Sequence, residues 1–272
     1  MTDRLIPYLK RFPLLYAGLR AAYQQRQLVR APVPTPLGFK LAGPVAMQTG
    51  QFEPDETRQL SALLGETDVF VNVGANCGYY VCLARKAGLK VVAVEPLDQN
   101  VQFLQRNLLA NGWNDVEVLP VGLGDRTALL KLYGGGTAAS FVSGWAGAPE
   151  DHCRVVPVTT LDAVLADRFA GERLLILIDV EGFEFNVLQG ALRQLNRHPA
   201  PVWFVEICIS EHQPGGVQAN PNLMKTFEIF WRHGYRAEKA GCESGLVESG
   251  DVDRWAEGRQ LPGTHNFLFR RA

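Results

Sequence analysis

The chain predicts an α/β fold, a mainly parallel sheet with helices on both faces. Two observations carry that expectation. Between Asp68 and Pro96 an apolar strand, a glycine turn, a helix, a second apolar strand and an acid follow one another. Downstream, apolar segments of strand length keep alternating with segments of helical periodicity, the pattern of strands covered by crossover helices.

In chain order, Ala31 to Leu37 carries three prolines and reads as a linker, and Phe39 to Met47 as a short hairpin. Asp55 to Leu64 is a helix. Val69, Phe70, Val71 and Val73 suit a buried parallel strand, which Gly74-Ala75-Asn76-Cys77-Gly78 breaks. Tyr79 to Ala87 is helical and Gly88 ends it. Lys90 to Val94 is the second strand. Leu97 to Asn111 is a helix with Asp98 as N-cap. Val116 to Val121 is the third strand. Thr127 to Tyr133 and Arg154 to Val158 pair as an inserted hairpin around the glycine-rich loop 134–149. Leu161 to Phe169 is a helix capped by Thr160. Leu174 to Ile178 is the most apolar strand and ends on Asp179. Phe185 to Leu195 is a helix, Val202 to Ile209 a strand and Pro221 to His233 a helix. Tyr235 to Lys239 and Asn266 to Phe269 are the last two strands.

At 272 residues the chain accommodates one full α/β domain, over 51–272, and an N-terminal helical appendage with linker, over 1–50. A net charge of −1 offers no field for a polyanion, so nucleic acid is not expected as a partner. The five cysteines contain no C-x-x-C pair, which suits buried thiols in a reducing cytoplasm. No apolar run approaches a membrane span.

The first fifty residues hold seven basic side chains against one acid, Asp3. Leu5, Leu9, Phe12, Leu15, Leu19 and Tyr23 form an apolar stripe, interrupted at Pro13. Charges break this stripe, so it does not read as a signal peptide. Two readings remain open. One is a basic amphipathic element making weak contact with a membrane surface or an anionic glycan. The other, commoner for such a pattern, is a helix packed over the domain or at a homodimer interface.

Ligands of such sheets bind beyond the carboxyl ends of the strands. Asn76, Glu95, Gly122, Asp179, Glu181 and the segment Glu206 to His212 are the polar strand-end residues that should converge. A dinucleotide turn reads G-x-G-x-x-G, and its middle glycine lets backbone approach a pyrophosphate. Here Asn76 holds that middle position, while Glu95 follows Gly74 by 21 residues, the spacing of an acid that binds ribose hydroxyls. The stretch therefore predicts an adenosine pocket less suited to dinucleotides. Asp179 and Glu181 alone make no complete oxygen cage, so no metal is expected.

VNVGANCGYY at 71–80, VVAVEP at 91–96, VLPVGLGD at 118–125, VTTLDAVL at 158–165 and LILIDVEGFEFNVLQGA at 175–191 resemble the FkbM family of S-adenosylmethionine-dependent methyltransferases. NFLF at 266–269 is similar to the family's closing strand. The resemblance implies the Rossmann-like class I methyltransferase fold, a seven-stranded sheet of order 3-2-1-4-5-7-6 with one antiparallel strand. It also implies S-adenosylmethionine as cofactor. By position, Gly74, Asn76 and Gly78 would form the turn under the methionine part. Glu95-Pro96 would lie at the ribose, Gly122 and Leu123 would flank adenine, Asp179 would sit by the transferring methyl, and Glu181 and Gly182 would floor the acceptor site. The family usually opens its turn with an acid where this chain has Asn72, a change expected to cost about 1 kcal/mol of cofactor affinity.

Tyr79 and Tyr80 are candidates for holding the cationic sulfur through a cation–π contact, or simply for helix packing. A hydroxyl acceptor gains from a general base. Asp179, Glu181 and His212 are the candidates, with His152 weaker. The loop 134–149, with Thr137, Ser140, Phe141 and Trp145, reads equally as a lid or as a hairpin tip. The family implies O-methylation of a glycan or of a glycosylated or polyketide metabolite, in the cytoplasm. A Rossmann-type nucleotide-sugar or NAD-dependent oxidoreductase and a catalytically inactive binding domain are the alternatives. The missing middle glycine and the I-D-V-E-G segment weigh against the first, and Asn72 alone hints at the second.

Overall fold

The computed structural model describes residues 31–241 and 245–271. The basic stripe over residues 5–23 and Cys242 lie outside them.

β1 (Val33–Pro34) and β2 (Lys40–Leu41) form a short antiparallel pair, followed by α1 (Val45–Thr49) and α2 (Pro54–Leu64). Next come β3 (Val69–Val73), α3 (Tyr79–Lys86), β4 (Lys90–Val94), α4 (Asp98–Ala110) and β5 (Glu117–Leu119). β6 (Gly122–Leu123), β7 (Ala128–Tyr133) and β8 (Cys153–Thr159) precede α5 (Leu161–Leu165) and β9 (Leu174–Ile178). The chain continues through α6 (Glu184–Gln189), α7 (Leu192–Leu195), β10 (Val202–Glu206) and α8 (Leu223–Arg232). β11 (Tyr235–Lys239), β12 (Leu246–Val247), α9 (Ser249–Ala256) and β13 (Asn266–Arg271) complete it.

The main sheet runs β12-β11-β13-β10-β9-β3-β4-β5. Without β12 this is the expected seven-stranded order, and β13 is the antiparallel member, against both β10 and β11. The eighth strand is an addition at the edge, two residues pairing with β11. A separate sheet, β6-β8-β7, holds the inserted hairpin.

β3 and β9 are buried along their whole length because both faces of the sheet are covered. Val69, Val71 and Val73 point with Ile176, Ile178 and Val205 into one core, which α5 to α9 close with Leu161, Val187, Leu195, Phe227, Phe230 and Trp255. Phe70 points with Leu175, Leu177 and Phe204 into the other, closed by Leu60, Val81, Cys82, Leu104 and Leu108. Alternating side chains on a strand require this division.

Several elements depart from expectation. The hairpin forms over 33–41, not over 39–47, and Phe39, Leu41 and Met47 enter the second core. Asp98 does not cap its helix. Leu97 holds the cap position and gives its N–H to Glu95 Oε1 (2.9 Å), while Asp98 pairs with Arg154 of the inserted hairpin (2.8 Å). The single helix expected over 185–195 is two, because the chain at Gly190 presses on Gly124, where an added Cβ would lie 2.0 Å from the carbonyl oxygen. The helix after Thr160 stops at Leu165, and Ala166 and Phe169 take positive φ. Thr160 caps it as expected, accepting the N–H of Ala163. β12 and α9 were not anticipated.

The N-terminal pair is fastened to α4 by two asparagines one turn apart. Asn107 Oδ1 accepts the Ala42 N–H (2.6 Å), and its amide donates to Ala42 O (2.9 Å) and Cys77 O (2.8 Å). Asn111 repeats the exchange with Lys40. Asn107 is fully buried, so truncation leaves three backbone groups without their partner. Asn107→Ala is expected to cost about 3 kcal/mol, at roughly 1 kcal/mol per lost hydrogen bond. Chemical denaturation will show it as a lower midpoint at unchanged slope.

Candidate active site

The cleft opens at the carboxyl ends of β3, β4 and β9. The turn after β3 starts with the N–H groups of Gly74 and Ala75 both donating to Val94 O (2.9 and 3.0 Å). Asn76 has φ +50°, a left-handed conformation that asparagine tolerates, and its Oδ1 accepts the Cys77 N–H (2.7 Å). This is how the turn dispenses with a middle glycine. Gly74 and Gly78 are required by packing. A Cβ on Gly74 would lie 1.7 Å from Asp179 O, and one on Gly78 2.3 Å from Leu104 Cδ1.

Glu95 is 4% exposed. Its Oε2 accepts the Asn76 N–H (2.7 Å), and its Oε1 accepts from Leu97 N and the Asn100 amide. Burial pushes its pKa up to about 7 despite these donors. Oε1 is thus filled by two donors, while Oε2 keeps a lone pair for a further hydroxyl.

About 510 Å³ of space, part of it open to solvent, lies between the strand ends. Eight residues predicted for the site border it: Gly74, Asn76, Glu95 and Pro96 on the first side, and Gly122, Leu123, Asp179 and Glu181 on the second. Asn72, Gly78, Tyr79 and His212 do not line it. Tyr79 is buried in a ring cluster, 5.3 Å from Phe52 and 5.1 Å from Tyr80, which fits the packing alternative. His212 is exposed, with its ring 6.0 Å from that of Trp145. His152 gives its carbonyl to Gly134 N–H at the base of the loop.

The loop 134–149 is folded down on the Asp179–Gly182 turn. Ser140 Oγ donates to Glu181 O (2.6 Å) and Trp145 Nε1 to Glu181 Oε2 (2.7 Å). The Trp145 ring, 1% exposed, covers Gly182, where a Cβ would meet it at 2.4 Å. The Ala146 N–H donates to His212 O (2.8 Å). Phe141 lies against Gly122 on the other side of the cleft. Glu181 itself has φ +55°, a strained value for a residue with a Cβ.

The sequence placed Glu206 among the converging strand ends but missed Glu53 and Glu184. Val205 faces Ile178 across the β9–β10 pair, which sets Glu206 beside Asp179. Burial, together with the neighbouring Glu206, drives the Asp179 pKa well above the ordinary carboxylate range. Burial likewise lifts Glu206 to about 8 and Glu184 to about 7. Glu53 approaches the same pair, and its carboxylate accepts the Tyr80 hydroxyl (2.6 Å). The signal for Glu53 was an acid directly before a helix-starting proline, too weak to act on.

The residues fit S-adenosylmethionine. Asn72 is 1% exposed and its Oδ1 has no partner among the described residues, an acceptor that an N–H donor would satisfy. The buried acids suit a cationic ligand.

A protein-family model described as the methyltransferase FkbM domain matches residues 68–237. No curated protein matches the chain. Solved structures similar to it include the ribosomal protein L11 methylase from Lactobacillus delbrueckii subsp. bulgaricus, at 13% identity and TM-score 0.40 over 79% of this chain and 78% of that one. Another is the precorrin-6y C5,15-methyltransferase from Geobacter metallireducens GS-15, at 12% identity and TM-score 0.43 over 85% and 93%.

Glu95, Asp179, Glu184 and Glu206 hold their protons to higher pH in the folded chain than in the unfolded one. From about pH 4.5 to pH 8 the unfolded chain therefore carries fewer protons at these positions, and stability falls as pH rises. The ligand-free protein is expected to melt several degrees higher at about pH 5.5 than at about pH 8. A thermal melt with no such fall would mean that these acids ionise normally in the folded state.

Proposed function

The chain belongs to the FkbM methyltransferase family and uses S-adenosylmethionine, and on that premise we propose that it methylates a hydroxyl oxygen of a glycan or of a glycosylated or polyketide metabolite. One observation carries the proposal beyond the family. Glu181 stands at the cleft beside Asp179, on a strained turn, with one carboxylate oxygen, Oε2, held by the Trp145 indole.

When bound, S-adenosylmethionine supplies a methyl group on a cationic sulfur. The residues of the chain hold and orient. Glu95 would offer Oε2 to a ribose hydroxyl, within a frame fixed by Asn76, Leu97 and Asn100. Gly122 and Leu123 flank the adenine, with Phe141 beside them. Asp179 lies at the methionine end. On the acceptor side Glu181 takes the hydroxyl proton on Oε1. Burial raises the affinity of Glu181 for a proton, while the Trp145 bond and nearby His212 lower it, which moderates its basicity. His212 serves as an anchor for the loop through its carbonyl. Alignment of acceptor and donor by such a cleft lowers a barrier by roughly 7–11 kcal/mol.

Incubation with methyl-labelled S-adenosylmethionine and a fractionated extract of host metabolites and glycans tests the reading. Label is expected in a hydroxyl-bearing acceptor, and recovery only as a methylated amine or carbon would replace the oxygen assignment. Glu181→Gln is expected to bind cofactor normally and to lose about 10²–10⁴-fold in labelling rate. A wild-type rate in that variant removes Glu181 from proton transfer.

Trp145→Phe keeps the ring and deletes the N–H. Loss of that bond raises the Glu181 pKa. The acidic limb of the labelling-rate profile is expected to move to higher pH, and an unmoved limb would show that the indole only packs.

A further inference from the structure

The strongest unassigned feature is the group of carboxylates on the face of the sheet covered by α2 and α3. Phe70 and Asn72 leave β3 on that face, Leu177 and Asp179 leave β9 on it, and Phe204 and Glu206 leave β10 on it. Glu53, directly before α2, is tied to α3 over the same face by the Tyr80 hydroxyl (2.6 Å), and its charge raises the proton affinity of Asp179 and Glu206. Among the described residues, Glu53, Asp179 and Glu206 have no Lys, Arg or His within ion-pair distance.

A second observation is independent of the acids. Asn72 Oδ1 is a buried acceptor with no donor. Such an atom is costly unless a ligand supplies the hydrogen. A carboxylate group without a cation and an acceptor without a donor, on one face of the sheet, ask for the same chemistry: positive charge carrying N–H bonds.

Glu53 is built for the position. It takes φ +41°, a region that residues with a Cβ adopt at a cost, and Pro54 follows it at the first turn of α2. Tyr80 holds one carboxylate oxygen, which leaves the other available.

We propose that Glu53 and Asn72, backed by the Asp179–Glu206 pair, form a subsite for an ammonium group. Glu53 thereby supplies the charge that Asn72 lacks. Two ammonium sources share this chemistry, the α-amino group of S-adenosylmethionine and an amine on the acceptor. The inference rests on the methyltransferase reading for the first source only.

Calorimetry on the full chain separates them. The ligands are S-adenosylmethionine and its analogue with hydrogen in place of the α-amino group. Separately, glucosamine and N-acetylglucosamine are titrated into protein loaded with S-adenosylhomocysteine. Wild type is expected to prefer S-adenosylmethionine over the analogue by about tenfold to a hundredfold, the scale of one charge-assisted hydrogen bond. Glu53→Gln should erase most of that preference without weakening the analogue. Asn72→Asp should widen it, a gain that misfolding cannot produce. If instead the two cofactors bind alike, while glucosamine binds in preference to N-acetylglucosamine and Glu53→Gln abolishes the difference, the subsite holds an acceptor amine. Absence of both preferences, or their survival in Glu53→Gln, overturns the proposal. Failure of S-adenosylmethionine and the analogue alike to bind wild type would sink the cofactor reading, and glucosamine binding to the free protein then decides the subsite alone.

Discussion

Gly74 passes so close to Asp179 that a methyl group on its α-carbon would lie 1.7 Å from the Asp179 carbonyl oxygen. The Asp179 N–H meanwhile donates to Val73 O (2.9 Å). Two turns from distant parts of the chain thus touch through backbone alone. The site depends on this contact. One turn carries Asn76 and, through it, the frame around Glu95, and the other carries Asp179 and Glu181. Any side chain at Gly74 would push the two apart and separate the cofactor side of the cleft from its acceptor side. The parallel pairing of β3 and β9, Val73 opposite Ile178, brings the turns to the same level.

Against that fixed backbone the electrostatics of the cleft are unbalanced. Charged pairs elsewhere are surface pairs such as Arg58–Asp55 and Arg193–Asp167, which contribute little. The acids of the site lack such partners and are buried, so without a ligand they are held at high pKa. The arrangement destabilises the empty chain at neutral pH and favours a cation. Binding function and folding stability here draw on the same groups in opposite directions.

The parts of the fold that were legible in the sequence are those set by local pattern. β3, β4 and β9 lie where the apolar runs placed them, because a strand buried on both faces has nowhere to put a polar residue. Asn72 is the exception within β3, a buried polar side chain whose oxygen has no partner among the described residues. The glycine turn and Glu95 were readable because one local spacing governs both. Tyr79 misled because its place beside the turn suited a ligand contact, whereas the helix that begins there turns its ring into the core. Glu206 was legible beside Asp179 as a neighbouring strand end, whereas Glu53 was not, since 126 positions separate it from Asp179 in sequence and it lies at the start of a helix.

The inserted hairpin supplies what the core fold does not. β7 and β8 pair along six residues and carry the loop between them to the far side of the cleft. There three contacts, from the Ser140 hydroxyl, the Trp145 indole and the Trp145 ring on Gly182, fix a glutamate in a conformation it would not otherwise keep. One side of the cleft is thus set by the turns after β3 and β9, which meet at Gly74 and Asp179, and the other by the inserted hairpin, whose loop reaches Glu181 and Gly182 without touching Gly74. The two sides are built by separate elements of the chain, so a substitution at Ser140 or Trp145 acts on the Glu181 turn and not on the frame around Glu95.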